Sequence, residues 1–219
     1  MGTKILLEAP LLFIVGNGRD RSDKCDFSSA WEYRIMNTSN NRVYYFIFNT
    51  QFGYLGILAS EKGLRSIVLP HKNKNAVYKK LIKNLNNKQA VLKENKEKLN
   101  DYYMQILGYL NGISKSFRVK LDLQGYSKFS KAVWNIAQEI PYGETRTYNW
   151  IAMKMGKPQS ARAVGNALGK NPIPIIIPCH RVLKKDGSIG GFSAGLDWKK
   201  FLLNLEKQNL KKFNTTNYK

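Results

Sequence analysis

The apolar positions of this chain change period along its length, and the changes mark its elements. Over residues 42–70 three β-branched and aromatic runs recur: Val43-Tyr44-Tyr45-Phe46-Ile47-Phe48, Tyr54-Leu55-Gly56-Ile57-Leu58 and Ser66-Ile67-Val68-Leu69. They are separated by Gln51-Phe52-Gly53 and Glu61-Lys62-Gly63, a punctuation that predicts an antiparallel meander. Residues 72–98 have no clean period and set nine lysines against two glutamates, which predicts a connector or weak helix with a solvated basic face. Leu99, Tyr102, Tyr103, Ile106 and Leu110 return at helical spacing until Asn111-Gly112 stops the run, so a helix should pack on the meander.

A second, mostly helical domain is predicted from Tyr126 onward. Phe129, Ala132, Val133, Ile136 and Ile140 form one apolar stripe, ended by Pro141-Tyr142-Gly143. Thr147 can cap a short helix carrying Tyr148, Ile151, Ala152 and Met155 on one face. Residues 156–159 then turn, and Ser160 can cap a helix to Leu168, together a helix-turn-helix. Asp197 can cap a last helix whose stripe is Trp198, Phe201, Leu202 and Leu205. The fold class is therefore α/β: a small N-terminal antiparallel sheet plus helix domain (42–125), then a mostly helical C-terminal domain (126–206). Residues 1–41 are an appendage of uncertain order, and 207–219 a basic tail. The apolar run of residues 5–15 is broken by Glu8 and Pro10, too short for a membrane span or a convincing signal peptide.

With 219 residues, 43% of them apolar, the chain can bury one or two cores and is not a disordered tail. The formal charge of +21 makes polyanions the natural partners, nucleic acid before membrane, although many lysines can also be a merely solvated face. The only cysteines are Cys25 and Cys179 and the only histidines His71 and His180, which gives neither a disulfide framework nor a zinc-site cluster. No metal or other cofactor is expected, and a reducing, cytoplasmic compartment fits a working thiol.

The most pointed chemistry is Ile175-Ile176-Ile177-Pro178-Cys179-His180-Arg181. The isoleucines read as a short buried strand that Pro178 ends. Cys179 then opens a loop beside two cationic side chains, a setting that can favour the thiolate and lower its pKa. The alternative is a buried cysteine acting as a small hydrophobe.

Over residues 142–206 the chain resembles the methylated-DNA:protein-cysteine methyltransferases, the alkylguanine-DNA alkyltransferases. The residues that carry the resemblance are Pro178-Cys179-His180-Arg181, Asn171-Pro172-Ile173-Pro174, Tyr148, Ala161-Arg162-Ala163-Val164-Gly165 and Glu206. A weaker match extends over residues 44–140. The resemblance implies a ribonuclease-like first domain, a winged-helix-like second one, and a monomer acting on double-stranded DNA that contains alkylated guanine. It makes Cys179 the acceptor of the alkyl group from the guanine 6-oxygen, His180 its base through a water, and Glu206 the carboxylate orienting His180. Tyr148 is the donor to a guanine ring nitrogen and Asn171 the hinge between recognition helix and active-site loop.

The bare helix surface of Ala161, Ala163 and Gly165 would lie in the DNA minor groove. Arg162 would fill the gap left by an extruded nucleotide, or else contact a phosphate. Arg181 joins the expected DNA contacts. Val182, Phe192 and Ser193 join Tyr148 in the substrate pocket, Phe192 standing where many relatives have tyrosine. Taken singly, Tyr148 can also be a core aromatic and Glu206 a surface carboxylate. Two other classes compete with the stoichiometric enzyme: an alkyl-lesion sensor, which would lack the reactive cysteine this chain keeps, and a cysteine hydrolase, for which no water-attack machinery is evident.

Overall fold

The computed structural model describes residues 42–85 and 90–216. The expectations for residues 1–41, Cys25 included, lie outside the described residues, which belong to a compact unit spanning Asn37–Lys219. Three strands, β1 (Arg42–Thr50), β2 (Gly53–Ser60) and β3 (Gly63–His71), form the expected meander. A fourth, β4 (Val91–Glu94), pairs in parallel with β1, giving the order β3-β2-β1-β4.

Residues 72–98 thus hold more structure than a connector. Helix α1 (Lys74–Lys83) is capped by Asn73, whose side chain accepts from the amides of Asn75 and Ala76. It buries only Val77 and Leu81, two positions four apart, too few to stand out among lysines. Strand β4 is held by backbone pairing and has no buried residue, so it left no alternation to read.

Alternation along the strands feeds two separate cores. Val43, Ile47, Leu58 and Val68 pack with Val77 and Leu81 of α1. Tyr44, Phe48, Leu55, Ile57 and Ile67 face the other way, toward α2 (Lys96–Leu110), in a cluster that runs on into the helical half. Tyr103 stands edge-on to Phe48 at 4.6 Å between ring centroids, a geometry that adds ~1 kcal/mol to area burial. The hub of the helical half is Trp134 on α3 (Lys128–Gln138), fully buried, with its indole N–H donating to the Ala167 carbonyl at 2.9 Å.

Helix α4 (Tyr148–Lys154) is capped by Thr147, whose Oγ1 accepts from the Trp150 amide. A 3₁₀ turn (Pro158–Ser160) then leads into α5 (Ala161–Gly169), where Ser160 occupies the cap position without bonding through its side chain. Two short strands, β5 (Arg146–Thr147) and β6 (Val182–Leu183), pair in parallel beside them. The last helix, α6 (Leu196–Thr216), runs through Glu206 and well into what was expected to be a tail. Asp197 lies inside its first turn instead of capping it.

The isoleucine run is not a strand. Residues 174–177 make a tight buried turn closed by a Pro174–Ile177 bridge, with Ile175 at φ 77°. Apolar content here recorded depth of burial, not extension.

Sheet and helical half are tied at the β3 edge. Leu64 exchanges backbone hydrogen bonds with Lys120 and Asp122, and the Ile67 amide donates to the Pro172 carbonyl at 2.9 Å. Gly63 makes the first contact possible: it sits at φ +143°, and an added Cβ would stand 2.5 Å from the Lys120 carbonyl oxygen. That obstacle is backbone and cannot swing away. Gly63→Ala is expected to cost roughly 1–3 kcal/mol from backbone strain alone, measurable as a lowered urea midpoint with an unchanged slope.

Candidate active site

The segment after α5 builds the site. Asn171, buried, uses its whole amide: Oδ1 accepts from the Ile173 amide, and Nδ2 donates to the Ile177 carbonyl at 2.8 Å and to Cys179 Sγ at 3.0 Å. This fixes both the 173–177 turn and the sulfur, which opens a 3₁₀ turn, Cys179–Arg181. His180 and Arg181 both bond Glu206 on α6. His180 Nε2 lies 2.8 Å from Glu206 Oε1. Arg181 donates through Nε to both carboxylate oxygens and through Nη2 to Oε1, and its Nη1 reaches the Ile140 carbonyl at 2.6 Å. The Gly143 amide donates to Oε2 at 2.7 Å.

This geometry overturns two sequence expectations. Arg181, expected among the DNA contacts, is buried and committed to Glu206 and Ile140. Nor is the cysteine's pKa lowered overall. Burial dominates and pushes Cys179 up to about 11, against the Asn171 hydrogen bond and the charge of Lys199. The thiol is therefore protonated at neutral pH and needs a base.

His180 is suited to that role by its surroundings. Burial lowers its pKa, outweighing Glu206, so the imidazole is neutral. Nε2 faces an acceptor-only carboxylate and so carries the ring proton. Nδ1 then offers a lone pair, and it is the buried side-chain polar atom without a hydrogen-bond partner among the described residues. Burial would raise Glu206, but hydrogen bonds and charge from His180 and Arg181 prevail and hold it down to about 2. The carboxylate is fully ionised.

Ala161, Arg162 and Gly165 of α5, Tyr148 and Asn149 of α4, and Lys184, Lys185, Gly190 and Gly191 frame a hollow of about 590 Å³. Arg162 and Ala163 are exposed, and Tyr148 is half-buried. Gly190 lies so close to Tyr148 that a Cβ would stand 2.3 Å from the phenol oxygen, so a side chain at this loop position would have to displace the tyrosine. The remaining expected pocket residues are elsewhere. Val182 is fully buried, Phe192 packs on the core, and Ser193 lines a second hollow of about 530 Å³ with Asn171, Pro174 and Trp198.

Two site residues escaped sequence reasoning. Lys199 is fully buried, its ammonium donating to the Val182 carbonyl at 2.6 Å, and burial lowers it to about 8. Tyr109 is fully buried on α2, its hydroxyl donating to Glu206 Oε1 and standing 3.2 Å from His180 Nε2. A signal existed for the first: Lys199, Leu202, Glu206 and Asn209, all buried, recur at helical spacing, so the buried face of α6 is itself partly polar.

Removing the Glu206 charge strands Arg181 inside the protein, so Glu206→Gln should destabilise by roughly 3–5 kcal/mol in urea unfolding. The pH dependence follows from the shifts. His180 folds with a pKa below 6.5, so stability falls as the pH drops below 6.5 and the unfolded chain is protonated first. Glu206, about 2 when folded against 4.5 ordinarily, adds stability above 4.5 that is lost between 4.5 and about 2. Glu206→Gln should abolish the second loss.

Comparison with known proteins places this arrangement. Residues 43–123 match the family model for the 6-O-methylguanine DNA methyltransferase ribonuclease-like domain, and residues 128–208 that for the DNA binding domain of the same proteins. A methylated-DNA–protein-cysteine methyltransferase of Methanosarcina barkeri is 42% identical over 77% of this chain and all of its own length. The inducible methylated-DNA–protein-cysteine methyltransferase of Bacillus subtilis is 45% identical over 54% of this chain and 66% of its own. Among solved structures, the Mycobacterium tuberculosis O6-methylguanine methyltransferase superposes with a TM-score of 0.63 at 33% identity, covering 78% of this chain and 99% of that one. A complex of the M. tuberculosis protein with DNA gives the same score and identity over 76% and 94%. Both halves of the chain match, and a relative 42% identical is covered along its whole length: the chain belongs to the methylated-DNA–protein-cysteine methyltransferase family.

Proposed function

We propose that this protein repairs alkylated guanine in double-stranded DNA by transferring the alkyl group from the guanine 6-oxygen to Cys179, once per molecule. The observation that carries this reading is the thiol itself. It is buried, fixed by Asn171 at 3.0 Å, and adjacent in sequence to an imidazole with a free buried Nδ1 and a carboxylate behind it.

In the proposed reaction the thiol proton passes through a water to His180 Nδ1, and Glu206 stabilises the imidazolium across Nε2. Sulfur attacks the alkyl carbon, the carbon–oxygen bond breaks, and guanine leaves with its electron pair as charge spreads into the ring. A hydroxyl donor such as Tyr148 relieves that charge. The product is a thioether, which no thiol exchange reverses, and no second cysteine lies among the described residues. A buried sulfur cannot reach a base inside a duplex, so the nucleotide is extruded at a cost of about a few kcal/mol. The exposed Arg162 on a nearly bare helix would occupy the vacated stack. The charge of +21 supplies sequence-independent attraction.

Incubation with duplex DNA bearing O6-methylguanine, followed by intact and digested mass analysis, should give one methyl per protein on Cys179. Sustained turnover, or a methyl elsewhere, would overturn the reading. Arg162→Ala should stay slow on duplex even at saturating DNA yet react with free O6-benzylguanine nearly as fast as the native chain, because a free base needs no extrusion. An equal loss on both substrates would instead mean that Arg162 shapes the site.

A further inference from the structure

The mechanism above leaves unexplained a polar group that reaches the site from the sheet half of the chain. Tyr109 is buried among rings, tilted against Phe117 at 5.3 Å and edge-on to Tyr142 at 5.8 Å. Packing alone would be served by phenylalanine, without desolvating a hydroxyl. Nor does Glu206 need Tyr109 for charge balance, since Arg181 engages both of its oxygens and the Gly143 amide adds a donor. Yet the Tyr109 hydroxyl donates to Oε1, the same oxygen that faces His180.

We propose that Tyr109 is a positioning residue of the transfer site, its hydroxyl holding the Glu206 carboxylate that orients His180 and setting how readily the imidazole takes a proton. The proposal rests on the reading of His180 as the base. Each donor on Oε1 withdraws charge that would otherwise stabilise an imidazolium at Nε2. The other charged and titratable groups around this pair are Arg181 on Glu206, Tyr142 beside Tyr109, whose hydroxyl accepts from Asn209 at 3.2 Å, Lys199, whose charge acts on His180, and Cys179, the next residue in the chain. Among the described residues, only Arg181 of these donates to Oε1. Burial and then the Glu206 charge raise the Tyr109 phenol well above its ordinary value, so it remains a donor throughout the working pH range. Loss of this hydroxyl should make Glu206 a stronger partner for the imidazolium and raise the pH at which His180 protonates. A better phenol donor should do the reverse.

Two variants test this in opposite directions. Tyr109→Phe removes the donor, and 3-fluorotyrosine incorporated at position 109 keeps the shape while strengthening it. Because His71 and His180 are the only histidines in the chain, the imidazole titration can be followed by NMR beside the single-turnover rate on duplex DNA containing O6-methylguanine. The expected result for Tyr109→Phe is an upward shift of about half a pH unit or more in both the His180 titration and the acid limb of the rate. The fluorinated protein should shift both downward. Should Tyr109→Phe fail to fold, the fluorinated protein carries the test by itself. An acid limb and titration unchanged in the folded variants, even with a lowered melting temperature, would make Tyr109 a packing residue and overturn the proposal. His180→Gln separates the two readings: if it keeps the native acid limb, His180 is not the base and the Tyr109 assignment falls with it. If it abolishes the limb while the Tyr109 variants leave the limb in place, only the Tyr109 assignment fails.

Discussion

A single ionised carboxylate buried out of reach of solvent, Glu206, is the constraint to which the site conforms. Desolvating it costs several kcal/mol, and the cost is offset only if every lone pair has a donor. The donors come from separate parts of the chain: Tyr109 on α2, Gly143 in the turn after α3, and His180 and Arg181 in the 3₁₀ turn. Each must approach to hydrogen-bond distance, which fixes where α6 crosses the others. Glycine at 143 serves the same end, since at φ +79° an added Cβ would stand 2.1 Å from Leu210 on that helix. The charge that orients the base therefore also anchors the C-terminal helix to the rest of the fold.

The sulfur is located by a second device, independent of charge. Asn171 spans the end of α5 and the reactive turn with one amide, and the sheet edge steadies it from behind through the Ile67–Pro172 hydrogen bond. The backbone between pays for this with Ile175 at φ 77°, a conformation costing a β-branched residue about 1–3 kcal/mol. Burial of Ile173, Ile175 and Ile177 holds the strained turn in place. The end of α5 and the thiol are thus joined by one side chain, so the hollow beside α5 and the sulfur keep a fixed relation.

The sequence made the meander, α2, α3 and the helix-turn-helix legible because each buries a face at its own period. Strand β4 was not legible, since its order comes from backbone pairing with β1 and no side chain is buried. The isoleucine run misled for a related reason: three apolar residues in a row report burial but not φ. Cys179, His180 and Glu206 were found through the Pro-Cys-His-Arg sequence and its neighbours, whereas Tyr109 and Lys199 were not. Both sit on amphipathic helices at core positions, where a tyrosine reads as packing and a lysine is read as exposed. Arg181 was misassigned because an arginine beside a reactive cysteine suggests an external anion, and only the fold revealed a carboxylate 2.9 Å away.

The opposing shifts of Cys179 and Lys199 bear on how such a dry site works. Burial moves the thiol up to about 11 and the ammonium down to about 8, while the charge of each favours the ionised form of the other. Lys199 is held by carbonyl oxygens at Val182 and Gly190 and, among the described residues, by no carboxylate, so its charge is not cancelled by them. In a low-dielectric interior that uncancelled charge acts strongly on a nearby developing anion. The resting protein keeps its sulfur neutral, which suits a thiol that must survive unreacted. In the proposed reaction, electrostatic stabilisation would be felt mainly as charge develops on sulfur during proton removal, without solvent having to reorganise.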